Sequence, residues 1–437
     1  MKINPILAKD FYKVGHPFQY PEGTEMVYSN CTPRSSARSN NPHNDNKVVF
    51  FGMQGIAQWL LIDLWKREFF SQPKEKVVTA YKRRIDNALG KDSVDCAHIA
   101  ALHDLGFLPI EIKALPEGSR VGMKVPVFTI RNTFPEFFWV TNMLETSISA
   151  EVWKATTTAT TAHSYKVLLD KYADMTGAPR EFVPFQGHDF SMRGLSGVHD
   201  AAQSGAGHLL SFVGTDTIPA ICYLEEYYGA DSDKELIGCS VPATEHSVMC
   251  MGGENTEIET FRRLITETYP SGVVSIVSDT WDFWNVITKT AVELKDEILN
   301  RTPNAIGLAK VVFRPDSGDP VKVICGDEYS SDTRKAKGAV ECLWDIFGGT
   351  TNEKGYKILN ERVGLIYGDS ITLERAEAIL VGLEAKGFAS CNIVFGIGSY
   401  TYQYVTRDTY GFAIKATYGV INGEGVEIFK DPITDDG

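Results

Sequence analysis

The stretch VVFRPDSGDP (311–320) sets a β-forming run directly before an arginine, two aspartates, a serine and a glycine. Val311, Val312 and Phe313 favour a strand. Pro, Gly and Asp shape the turn that follows, but shape does not require Arg314. Taken singly, such a stretch is a solvated turn. It gains meaning from its neighbours, because the same layout recurs along the chain. HLLSFVGTDT (208–217) reads as strand and polar turn before the helical IPAICYLEEYYG (218–229). SGVVSIVSDTWDF (271–283) precedes the helical WNVITKTAVELKDEILN (284–300). VGLIYGDS (363–370) leads into ITLERAEAILVGLEAKG (371–387), an amphipathic helix closed by glycine, and CNIVFGIGS (391–399) is a further strand and Gly turn.

Strands that alternate with helices predict a parallel sheet with crossover connections. The fold class is therefore α/β, with a β/α barrel over 151–399 and a mixed α+β domain over 1–150. In such a barrel the carboxyl ends of all strands face one mouth. Asp216, Asp279, Arg314 with Asp316 and Asp319, Asp369, and Gly396 with Gly398 each follow a predicted strand, so they form one polar cup. The flanking domain is read from LPIEIKALPEGSRVGMKVPVFTIRNT (108–133), which alternates in strand fashion between turns. YGFAIKATYGVINGEGVEIFKDP (410–432) is strand-rich and returns to the same sheet, so 400–437 complete that domain. The Thr-rich TTTATTAHS (156–164) lies inside a helical pattern and predicts close packing. SARSNNPHNDNK (36–47) predicts a surface loop.

The 437 residues are 43% hydrophobic and 23% charged, which is ample for a core. A net charge of −13 disfavours general nucleic-acid binding while leaving room for a local phosphate site. The eight cysteines form no CxxC pair, which argues against a zinc site or a disulfide scaffold. No signal-like h-region and no run of about 18 apolar residues is present, so no membrane partner is expected and the location is cytoplasmic.

The cup mixes acids with Arg193, Arg314, Arg407, Lys415 and Lys430. Carboxylates suit sugar hydroxyls, and the planar guanidinium fork suits phosphate. FGIGS (395–399) either turns backbone N–H groups onto an anion or is a tight turn with nothing bound. Aspartates with Mg²⁺ can offset a pyrophosphate. These residues point to a barrel enzyme that handles a phosphorylated sugar.

The runs ILAKDFYKVGHPFQYP, HDFSMRGLSG, SFVGTDT, SVPATEHS, IVSDTWDFWN, FRPDSGDP, YGDSI, FGIGS with TRD, and IFKDP occur in this order. On them the chain resembles the nicotinamide phosphoribosyltransferase family over essentially its whole length. The resemblance implies the open (β/α) barrel of type II phosphoribosyltransferases with a flanking α+β domain. It also implies a homodimer with the site at the interface. The implied reaction joins nicotinamide to 5-phosphoribosyl pyrophosphate, giving nicotinamide mononucleotide and pyrophosphate. Mg²⁺ accompanies the pyrophosphate, and ATP is coupled through a phosphohistidine. A nicotinate-specific transferase and a non-catalytic binding member of the family are the alternatives.

The resemblance also implies roles. Phe190 and the partner copy's Tyr12, in the motif opened by Asp10, sandwich the pyridine ring. Asp216 accepts from the amide N–H, although an aspartate here also suits a helix cap. Arg193 and Arg314 meet pyrophosphate and nucleotide. Asp316 and Asp369 hold ribose hydroxyls, with Gly368 allowing close approach. Gly398 and Ser399 cradle the 5′-phosphate, and family members often carry more glycine there. Arg34, Arg407, Lys415 and Lys430 are phosphate-side cations. His246 is the phosphorylated histidine, flanked by Glu245 and Ser247 as candidate orienting groups, and Asp279 orders the network of cations and metal.

Overall fold

The computed structural model describes residues 3–432; the expected closing residues 433–437 lie outside the described part. Six strands form one parallel sheet in the order Gly214–Thr215, Gly187–Asp189, Val394–Ile397, Val363–Tyr367, Ala309–Arg314, Gly272–Val277. The sheet is curled and open, as an open α/β barrel requires. Its helix-facing residues are apolar, while the inward face mixes Val273, Val312 and Ile366 with Ser275 and Lys310. Val274, Ile276, Val311, Phe313, Leu365 and Phe395 belong to one buried cluster. Helices such as Leu373–Ala385 cover it. Thr372 caps that helix, its side chain accepting from Arg375 N.

Two details differ from the sequence reading. HLLSF is not strand: His208 ends the helix Val198–His208, and only Gly214–Thr215 pair in the sheet. Phe212 is apolar because it packs in the core, not because it lies in a ladder. The strand Gly187–Asp189 was hidden inside the HDF motif, since three residues carry too little alternation to read.

The second sheet is antiparallel. Its order is Glu424–Glu427, Ala413–Ile421, Thr24–Thr32, Phe128–Asn132, Ile110–Ala114. The chain's last strands thus lie beside its first. The two-stranded Lys47–Val49 and Arg120–Gly122 pair stands apart. No helix among the described residues is long and apolar enough to cross a membrane.

The helix Trp139–Thr176 runs for 38 residues, and residue 150 falls inside it. Its first part, through Val152, packs in the core of the antiparallel sheet, and Ala162 to Ala173 pack in the barrel core. The Thr-rich run sits between. Thr156 Oγ1 donates to Phe51 O at 2.8 Å, Thr160 Oγ1 accepts from Val49 N at 2.9 Å, and Thr158 and Ser204 hydroxyls lie 2.9 Å apart. Small residues let the next helix approach: a Cβ on Gly207 would lie 2.7 Å from Ala155 O. The 36–47 loop is tied down, with Asn41 Nδ2 donating to Ser164 Oγ at 2.7 Å and His43 Nε2 lying 3.1 Å from Glu377.

Candidate active site

The six parallel strands end at one rim, and most of the predicted polar residues gather there. Phe190 follows Gly187–Asp189 and is fixed by its N–H, which donates to Ile397 O at 2.9 Å. Its ring stands 4.8 Å from the His188 ring, and the Arg314 guanidinium lies 6.0 Å from its centroid. Asp216 follows the adjacent strand. His188 Nε2 lies 2.9 Å from Asp216 Oδ1, and Ser240 Oγ donates to the same oxygen at 2.7 Å. Burial works to raise the Asp216 pKa, but His188, Ser240 and the Arg314 charge outweigh it and hold the carboxyl below its ordinary value. Asp216 does not cap the following helix Ile218–Tyr228, whose first turn carries no side-chain cap. Behind this rim the barrel encloses a cavity of 370 Å³, bordered by Phe190, His188, Asp216, Ser240, Val312 and Lys310.

The neighbouring turns carry the acids. Asp279 is almost fully buried, with its side chain 4% exposed. Its Oδ2 accepts from Asp316 N at 2.9 Å and Ser317 Oγ at 2.6 Å, and its Oδ1 lies 3.1 Å from His246 Nε2. Burial pushes the Asp279 pKa up, but these three partners bring it below the ordinary value. Asp316 goes the other way. Burial raises it, with Asp279 and Asp369 adding to the effect, and Arg314 only partly compensates. Two carboxyls in adjacent turns are thereby driven apart in acidity.

Arg314 donates to Thr244 O at 3.0 Å and stands 3.5 Å from Asp316 Oδ2 without a hydrogen bond. Arg314 Nε and Asp316 Oδ1 are buried without a hydrogen-bond partner, which leaves both with capacity for a further bond. A Cβ on Gly368 would lie 2.4 Å from Asp316 Oδ1, so a side chain there would displace the Asp316 carboxyl. Gly396 is equally confined: a Cβ would lie 2.5 Å from the Phe190 ring and 2.8 Å from Gly368 Cα. Asp369 is exposed at the same rim.

A third group lies at the end of Val394–Ile397. Arg193 is exposed on the turn Met192–Gly194. A Cβ on Gly194 would lie 2.1 Å from Ser399 Oγ, so the Arg193 turn and the Gly398–Ser399 turn touch.

The remaining predicted residues sit on the antiparallel side. Arg34 Nε donates to Gly411 O at 2.9 Å, and Phe412 N donates to Arg407 O at 3.1 Å, so Arg34 docks on the loop that carries Arg407. Lys415 is exposed on Ala413–Ile421, opposite Asn30. Lys430 is exposed beyond Glu424–Glu427. Asp10 accepts from Thr146 Oγ1 at 2.6 Å. Tyr12 is 62% exposed and does not border the barrel cavity. The residues flanking His246 do not orient it: Ser247 Oγ donates to Glu245 instead, and Asp279 is the partner. Ser240 and Ser317 were missed as site residues. Both lie inside quoted motifs, and their spacing from the acids is visible only in three dimensions.

The sequence model of the nicotinate phosphoribosyltransferase (NAPRTase) family matches residues 185–437, more than half of the chain. The chain belongs to that family. It is accordingly a phosphoribosyltransferase, an enzyme that moves a pentosyl group. A second family model, the nicotinamide phosphoribosyltransferase N-terminal domain, matches residues 4–112. The chain is 66% identical to a nicotinamide phosphoribosyltransferase of Acinetobacter baylyi, covering 100% of this chain and 86% of that one. A nicotinamide phosphoribosyltransferase of Mycoplasma pneumoniae is 35% identical, over 99% of this chain and 93% of the relative. Among solved structures, human nicotinic acid phosphoribosyltransferase matches with a TM-score of 0.53 at 14% identity, over 89% of this chain and 72% of that one. Nicotinate-nucleotide pyrophosphorylase from Pyrococcus furiosus matches with 0.52 at 14%, over 97% and 78%. These two likenesses establish the open-barrel fold of the NAPRTase family member.

Proposed function

We propose that the enzyme transfers the phosphoribosyl group of 5-phosphoribosyl pyrophosphate to nicotinamide, with ATP hydrolysis coupled through a phosphorylated His246. The observation that carries the substrate choice is Asp216, kept ionised beside Phe190 at the cavity rim. A carboxylate accepts from the amide N–H₂ of nicotinamide. Nicotinate would set a second anion against it. At about 4 Å and an effective dielectric of about 20, that repulsion is roughly 4 kcal/mol, on the order of a thousandfold in preference. The names of the relatives agree with this choice.

The pyridine ring stacks on Phe190, and Tyr12 of a second copy closes the other face. Aromatic stacking on a flat heterocycle is worth about 1–3 kcal/mol. The exposed Tyr12 suits presentation to another subunit, which supports a homodimer with the site at its interface. Arg314 and Arg193 hold the pyrophosphate and nucleotide charge. Asp316 and Asp369 take the ribose hydroxyls, with Gly368 leaving them room, and Gly398 and Ser399 receive the 5′-phosphate. Arg34, Arg407, Lys415 and Lys430 add cations at the phosphates, some across the dimer.

The C1–O bond breaks with oxocarbenium character, so the protein stabilises a leaving pyrophosphate and aims the pyridine nitrogen. That nitrogen has no proton to lose, and no strong base is needed. Among the described residues no group of three or more His, Cys, Asp or Glu could hold a metal ion. Mg²⁺ commonly binds through one or two carboxylates plus substrate phosphates, and the unpartnered Asp316 Oδ1 beside Asp279 fits that mode. Bound there, it would neutralise charge on the leaving pyrophosphate. The eight free cysteines suit a reducing cytoplasm.

The test is product formation with Mg²⁺ and phosphoribosyl pyrophosphate, nicotinamide against nicotinate, each with and without ATP. Preference for nicotinamide with stimulation by ATP is expected. Preference for nicotinate overturns the substrate, and indifference to ATP overturns the phosphohistidine.

A further inference from the structure

Lys154 lies outside the rim yet connects to two of its parts. It sits on the helix Trp139–Thr176 with its side chain 4% exposed. Its Nζ donates to Gln403 Oε1 at 2.6 Å and stands 3.9 Å from Asp200 Oδ2. Both of those groups converge on one residue. Gln403 Nε2 donates to Ser196 Oγ at 2.7 Å, and Asp200 Oδ2 accepts from Ser196 N at 2.8 Å. These four residues therefore close a ring, Lys154–Gln403–Ser196–Asp200, which includes the buried ammonium and whose Ser196–Asp200 link runs through the Ser196 backbone N–H.

Two members of the ring, Ser196 and Gln403, adjoin phosphate-side turns. Ser196 is three residues past Arg193, on the far side of the turn Met192–Gly194. Gln403 caps the short helix Ser399–Tyr402, and its N–H donates to Ser399 O at 2.7 Å. Arg407 follows on the same segment. Where the two turns meet, Gly194 has no room for a side chain against Ser399. Their contact is thus held from behind by the ring and kept close by a glycine. A buried lysine that has given up water needs such acceptors, and a buried cation deprived of one is costly, so the geometry is stiff.

We propose that Lys154 is a positioning residue for the phosphate end of 5-phosphoribosyl pyrophosphate, clamping the Arg193 turn to the Ser399–Arg407 segment. This rests on the proposed phosphoribosyl transfer. The nicotinamide end, at Phe190 and Asp216, is held by other contacts: Ile397 O, His188 and Ser240. The clamp therefore acts on one substrate and not on the other.

The experiment compares wild type with Lys154→Met, Lys154→Arg and Gln403→Leu. It reads KM for each substrate, kcat, the melting temperature, and direct calorimetric binding of phosphoribosyl pyrophosphate. Loss of one charge-assisted buried hydrogen bond predicts a rise of about ten- to hundredfold in KM and Kd for phosphoribosyl pyrophosphate. KM for nicotinamide should stay within about twofold, and Lys154→Arg should restore part of the loss. Gln403→Leu should show the same split and add little on top of Lys154→Met. It also serves should Lys154→Met fail to fold. Equal losses for both substrates, or unchanged affinity for phosphoribosyl pyrophosphate in folded variants, overturns the proposal. Should the wild type transfer to nicotinate instead, the binding measurement still decides about Lys154, because it contains no pyridine substrate.

Discussion

His246 Nε2 lies 3.1 Å from Asp279 Oδ1, although the two residues are 33 apart in sequence. Asp279 is kept ionised below its ordinary pKa while His246 is half exposed at the start of its helix. In the proposed coupling, Asp279 would accept the hydrogen bond of the Nε2 proton and the lone pair on Nδ1 would attack phosphorus. After incubation with Mg-ATP, an acid-labile phosphate should appear on the protein. His246→Ala should abolish it, and Asp279→Asn should slow its formation by about a hundredfold. Radiolabel transfer from γ-labelled ATP is the measurement.

Asp216→Asn tests the base site. The neutral amide removes the repulsion that disfavours nicotinate. The ratio of kcat/KM for nicotinamide over nicotinate should fall by at least about tenfold. Steady-state rates on both substrates read this directly. An unchanged ratio would move discrimination to other residues.

Gly396→Ala attacks the floor under the Phe190 ring. The added methyl meets both that ring and the Gly368 backbone, so it cannot be absorbed by one flexible side chain. Overpacking of this kind costs about 1–3 kcal/mol. KM for nicotinamide should rise more than KM for phosphoribosyl pyrophosphate, and thermal melting gives the stability part.

Arg314→Ala removes the cation that spans Asp316, Thr244 O and the Phe190 face. The kcat/KM for phosphoribosyl pyrophosphate should drop by about a hundredfold or more. Arg314→Lys should rescue little, because a point charge cannot reproduce the fork.

Glu151 gives a pH signature in stability. Burial, aided by the charge of Asp200, lifts its pKa from 4.5 to about 7, with Gln203 opposing. Between those two values the folded state holds a proton that the unfolded state releases. Stability therefore falls as pH rises through this window, by at most about 1.4 kcal/mol per pH unit. Glu151→Gln should flatten that slope, leaving the protein more stable than wild type at pH 7.5 and little changed at pH 4.5. Denaturant midpoints across pH would check it.

The alternation of strands and helices after residue 180 was legible because parallel core strands are long apolar runs with acid or glycine at their ends. Short strands were not. Gly187–Asp189 and Gly214–Thr215 are paired by their neighbours and carry no period of their own. Thr24–Thr32 also escaped the reading; its buried positions Val27, Ser29 and Cys31 include a serine, and it is recruited by Ala413–Ile421 almost 400 residues later. At the site, residue types could be named from motifs, but pairings could not. Glu245 and Ser247 adjoin His246 in sequence, yet Asp279 holds it. His188 stands two residues before Phe190 in the HDF motif, while its contact with Asp216 needed the barrel to form.

The helix Trp139–Thr176, about 57 Å long at 1.5 Å per residue, is one rod set in two hydrophobic cores. Nothing along it offers a place for the cores to part. Melting either half strips one end of the rod of its packing, and a bare helix of that length gains little in water. Heat should therefore undo the molecule as a single cooperative unit, with one endotherm in calorimetry where a chain of independent domains would give two.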